Sequence, residues 1–214
     1  MSGYEILALD DLERVTYRGS GETLRPLRLA LGFGAFGVNV WSAEQAGDKL
    51  VPPHEEDSGH EELYVVVRGT ARFTVGEETV DAPAGTLIHV KPETFRTATA
   101  AAPSTMVLAA GGKEGEALFP NRWEEVNIAF SRLEAGDVAG GRAIMEANIH
   151  EGEHAWGGHY NLACYLAVAG ETDAAFDELR TALELNRDNV MKWLPHDTDL
   201  DPLRDDPRFA ELST

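Results

Sequence analysis

His60, Glu62 and Tyr64 stand at alternate positions, and they are the residues of this 214-residue chain best spaced to act together. On a strand, residues two apart share a face, and Val66 extends that face with an apolar side chain. With His54 delivered by the preceding loop, His60 and Glu62 offer two nitrogens and a carboxylate, and Asp57 is a further oxygen donor. Such a set suits a divalent transition metal, Fe, Mn, Ni or Zn. The histidines would then be neutral, each held through its other nitrogen by a neighbour.

The same stretch supports a metal-free reading. Arg96 stays protonated and cannot replace an imidazole on a metal. It would instead pair with Glu62 or with an anionic ligand, because buried charges persist only when compensated. In that reading Tyr64 and Arg96 line a ligand-binding pocket. Both readings turn Glu62 and His60 inward.

Other candidates carry less. His89 lies on an apolar strand and reads as an interior residue. His150 and His154 are four apart, but Gly152 between them and Gly157-Gly158 after them indicate a helix end, not a metal-binding face. Cys164, the single cysteine, sits in the run Leu162-Ala163-Cys164-Tyr165-Leu166 and reads as a small hydrophobe. No Gly-x-Ser-x-Gly elbow, phosphate loop or zinc-spaced cysteine pair is present.

The elements that would position these residues fall into two textures. Residues 1–112 read as short strands, among them Arg28–Leu31, Val38–Trp41, Glu61–Val67, Ala71–Val75, Thr86–Val90 and Thr105–Leu108. Gly69, Gly76, Pro83-Ala84-Gly85, Pro92 and Pro103 punctuate them. Many short strands at regular spacing predict an antiparallel β-barrel or sandwich. Residues 113–121 read as a linker, where glycine and charge replace alternation.

Beyond it the pattern is helical and repeats. Leu133-Glu134-Ala135-Gly136-Asp137 returns as Ala167-Val168-Ala169-Gly170-Glu171, an offset of 34 residues. Gly141 matches Ala175, and Met145 matches Leu179. Two helix pairs are predicted over 122–190, with Gly170 closing one helix and Thr172 or Asp173 capping the next. A capping segment follows over 191–214, with a helix expected around Asp201–Phe209.

Both halves resemble known families. Six residues separate Glu62 from Gly69, and Pro83-Ala84-Gly85 and Lys91-Pro92-Glu93-Thr94 supply two turns. In these features the first 110 or so residues resemble the cupin superfamily, a jelly-roll barrel. The family's second-motif histidine falls at about Arg96, and Glu93 stands where glycine is usual. His54 lies eight residues before Glu62, where the family has six or seven, and Asp57 or Ser58 stands at the partner histidine. The 34-residue helical period resembles tetratricopeptide repeats. The fold class expected is therefore β plus α, a cupin-type barrel followed by a tetratricopeptide-like domain.

Composition narrows the partners. The formal charge of −19, with 18 basic against 37 acidic residues, opposes approach to nucleic acid or an acidic membrane surface. The amino terminus lacks the basic start and apolar stretch of a secretory signal, so the expected compartment is the cytoplasm. The resemblance implies two functions. One is a non-catalytic protein that binds a small molecule or metal in the barrel and a protein partner through its helices. The other is a metal-dependent oxygenase or isomerase using His54, His60 and Glu62. It also implies a homodimer.

Overall fold

The computed structural model describes residues 6–18, 20–32, 34–56, 59–116, 123–149, 152 and 154–212. It divides into two compact units, residues 1–121 and 122–214.

The first unit is built of antiparallel strands. β1 (Val15–Thr16) and β2 (Thr23–Arg25) are followed by the single helical turn α1 (Leu27–Ala30). Then come β3 (Gly37–Ala43), β4 (Lys49–His54), β5 (Glu61–Arg68), β6 (Thr70–Val75), β7 (Glu78–Pro83), β8 (Leu87–Val90), β9 (Arg96–Ala100) and β10 (Thr105–Gly112). One sheet has the order β1-β2-β3-β10-β5-β8 and the other β4-β9-β6-β7. β3 pairs with β10, β4 with β9, β5 with β8 and β6 with β7. That nesting of first strand on last is a long hairpin wrapped into two sheets, the jelly roll.

The alternation expected of β5 is present. Tyr64 and Val66 are buried and Glu62 is half-buried, while Glu61, Leu63 and Val67 face outward. From the other sheet Ala71 and Phe73 of β6 and Arg96, Ala98 and Ala100 of β9 turn inward. The Tyr64 and Phe73 rings meet at 5.3 Å between centroids. Gly69 makes the corner between β5 and β6 with φ +71°. A Cβ there would lie 2.8 Å from Thr105 Cα, so no side chain fits.

One segment departs from expectation. Arg28–Leu31 was expected as a strand, but Leu27–Ala30 forms a turn of helix in which Ala30 N–H donates to Pro26 O. The preceding proline presets a helical φ and has no N–H to lose.

The second unit is helical: α2 (Trp123–Glu134), α3 (Val138–Ala147), α4 (Ala155–Val168), α5 (Thr172–Trp193) and α6 (Pro207–Leu212), with a 3-10 segment over Thr198–Leu203. The 34-residue offset recurs in the backbone. Gly136 and Gly170 have φ of +86° and +81°. Asp137 N–H donates to Arg132 O, and Glu171 N–H to Leu166 O, the same six-residue closure of α2 and of α4. The core gathers Phe130, Met145, Leu162, Leu166, Phe176, Leu179 and Leu183. None of the helices is long and apolar enough to cross a membrane among the described residues.

Three details differ from the sequence expectation. The residue capping α5 is Glu171, not Thr172 or Asp173, and its carboxylate is paired with Arg142 at 2.6 Å. α5 is interrupted at Asn186 (φ −159°, ψ 81°), whose side chain accepts from Asn189 N–H and restarts the helix. The tail forms two short pieces because Pro202 and Pro207 deny one continuous helix its N–H donors.

Gly141 stands where the second helix pair has Ala175, and the packing explains the smaller residue. A Cβ there would meet Ala129 O at 2.6 Å and collide with the Tyr165 hydroxyl, which donates to Val138 O at 2.7 Å. Gly141→Ala is expected to lower stability by about 2 kcal/mol through overpacking. Thermal melting followed at the helical ellipticity minimum would measure it.

Candidate functional site

Three side chains of the first unit converge on one carboxylate oxygen, that of Glu62. Arg96 is fully buried and donates from Nε at 2.8 Å and from Nη2 at 2.6 Å to Glu62 Oε2. The Tyr64 hydroxyl donates to the same oxygen at 2.6 Å. His54 Nε2 lies 3.5 Å from it. The strands explain the meeting: Glu62 and Tyr64 share the inner face of β5, and Arg96 is the cross-strand partner of His54 in the opposite sheet. Arg96 Nη1 is fixed on Thr94 O at 2.9 Å, so the guanidinium is held at both ends.

His54 is also preset. Its Nδ1 lies 2.8 Å from Pro52 O; a carbonyl only accepts, so Nδ1 carries the hydrogen. Nε2 is thereby turned toward Glu62. Its hydrogen bond to Glu62 raises the imidazole above its ordinary value, against the opposing effect of burial. For Glu62, burial works to raise the carboxyl. Hydrogen bonds from His54, Tyr64 and Arg96, with the Arg96 charge, outweigh it and bring the value down to about 2. Burial and the neighbouring Glu62 carboxylate push the Tyr64 phenol up.

His60 does not join them. β5 begins at Glu61, so His60 lies one residue outside the strand, and the shared face of alternate residues does not reach it. Among the described residues the group of ligand atoms within 4.8 Å of one another is His54, Glu56 and Glu62. Glu56 was not anticipated. Its loop is tied to the β8–β9 turn where Glu93 N–H donates to Glu56 O at 3.0 Å. Glu93 itself has φ +59°, a conformation that glycine favours. Asp57 lies outside the described residues, as does His150.

His89 is not an interior residue. It stands opposite Leu63 on the outer face and pairs with Glu61 at 2.7 Å, both about half exposed. His154 precedes α4 at its N-cap, and His159 pairs with Glu178 at 2.6 Å. Cys164 is buried, and burial pushes its thiol well up, with Asp197 adding to the effect.

A divalent metal, as the cupin resemblance implies, would have to use His54, Glu56 and Glu62. His54 suits the role, since its Nδ1 is anchored and its Nε2 is presented. Glu62 does not. Its Oε2 already takes three donor hydrogens, and two carboxylates less one guanidinium leave a charge of only −1. A dication about 5 Å from Arg96 would be repelled by roughly 7 kcal/mol at an effective dielectric of about 20. The residues present do not fit a resident dication.

Acid should loosen this cluster. Glu62 is held below the usual carboxylate range, so its contribution is present above about pH 4.5 and is lost as pH falls toward about 2. The shift corresponds to about 3 kcal/mol. Denaturant unfolding at pH 6 and pH 3 should show about two-thirds of this loss for the native chain and a clearly smaller one for Glu62→Gln.

No family model matches the chain, and no curated protein sequence matches it. Solved structures similar to it include a cupin protein from Bacteroides fragilis, with 22% identity and a TM-score of 0.42 over 58% of this chain and 96% of that one. KdgF from a Halomonas species has 12% identity and a TM-score of 0.42 over 55% and 96%. A predicted oxalate decarboxylase from Thermotoga maritima has 16% identity and a TM-score of 0.42 over 50% and 97%. The jelly roll of the first unit rests on its own strand order.

Proposed function

We propose that this is a binding protein. Its jelly-roll unit holds a small molecule at the His54–Glu62–Arg96 cluster, and its helical unit, read as tetratricopeptide-like, meets a protein partner or a second copy. The convergence of Arg96 and Tyr64 on Glu62 Oε2 carries the first half. It fixes an ionised carboxylate beside His54, which is about one-third exposed, and so presents a ligand with an imidazole whose position is already set. The recurrence of helix ends at 34 residues supports the second half, as does the exposure of Leu185 and Trp193.

The second reading, a metal-dependent enzyme, draws on the anchored tautomer of His54. Arg96 counts against it. Native mass spectrometry of the full chain, isolated without denaturation, separates the two. The binding reading expects a retained organic molecule that is lost in Glu62→Ala. A chain that carries a metal and no organic ligand would favour the enzyme.

A further inference from the structure

We propose that Arg96 serves as a resident cation in place of a metal ion, and that the site is one side chain away from binding one. The inference concerns the charge that holds Glu62, so it does not depend on which small molecule, if any, enters the unit.

Position 96 is decisive by register. His54 and Arg96 are direct partners on adjacent antiparallel strands, where Cβ atoms on one face stand about 4.5–5.5 Å apart. Arg96 reaches past His54 to place Nε and Nη2 on Glu62 Oε2. It thereby delivers one positive charge to the carboxylate facing His54 Nε2. A metal there would deliver two charges to the same carboxylate, against the repulsion of the guanidinium already seated on it. Metal and guanidinium are therefore alternatives at this carboxylate.

Shortening the side chain reverses the preference. A histidine at 96 removes the cation, frees the lone pairs of Oε2 and sets a second imidazole beside His54. Glu56 and Glu62 would then leave a charge of −2 beside two imidazoles, a donor set that suits a borderline divalent ion. The tautomer of His54 is already fixed by Pro52 O.

The test uses the full chain, stripped with chelator and dialysed against Ni(II) or Zn(II) alone. Bound metal is read by mass spectrometry of the elements and folding by circular dichroism. The native chain and Arg96→Lys should retain no stoichiometric metal. Arg96→His should hold about one equivalent per chain, and adding Glu62→Gln should remove it. One equivalent on the native chain that Glu62→Gln abolishes would overturn the proposal. So would a folded Arg96→His that binds no more than the native chain. Should that variant fail to fold, the native chain and Arg96→Lys decide: both metal-free upholds the resident cation, and metal on either refutes it.

Discussion

Arg96→Ala should destabilise the jelly-roll unit by about 3 kcal/mol, the cost of leaving a largely buried carboxylate without its partner. Arg96 is fully buried and Glu62 keeps 19% of its side-chain surface. Water can therefore reach the stranded carboxylate in part, which places the loss at the low end of the range for broken buried pairs. The Glu62 carboxyl should rise from about 2 toward the ordinary range in the same variant. Urea unfolding followed by the strand signal would give the first quantity, and NMR titration of the carboxyl the second. An unchanged midpoint would mean that the pair contributes nothing net.

Leu179→Asp should be more damaging still. Leu179 is fully buried in the core of the helical unit with Phe176, Leu183 and Met145. Removing the leucine leaves a cavity, and the substitution places a carboxylate among apolar side chains. The two effects together should cost about 4 kcal/mol or more, a large share of a typical domain's 5–15 kcal/mol. Circular dichroism should show helix content falling while the strand contribution persists. Unchanged melting would place Leu179 on a different face.

Much of this arrangement could be read before any coordinates, because alternation and period are local. The parity of Glu62, Tyr64 and Val66 and the 34-residue return of glycine both reappear in the structure. What escaped depends on where strands stop and how they register. His60 was one residue too early for β5. His89 was read as interior because its strand is apolar, yet its register against β5 sets it opposite Leu63, on the outer face with the 64%-exposed Leu87. Glu56 carried no signal at all: its place is set by a loop whose backbone hydrogen bond to Glu93 joins segments 37 residues apart. Glu171, and not Thr172, precedes α5, and its carboxylate is paired with Arg142 from α3 rather than with the helix end.

The central claim is that Arg96 is the counter-charge of Glu62, and a double-mutant cycle tests it most directly. Unfolding free energies would be measured for the native chain, Glu62→Gln, Arg96→Met and the double variant. The account predicts strong coupling: the double variant should lose clearly less than the sum of the singles, by about 2 kcal/mol or more. Additive losses would contradict it, since two side chains that do not compensate each other have nothing to lose jointly.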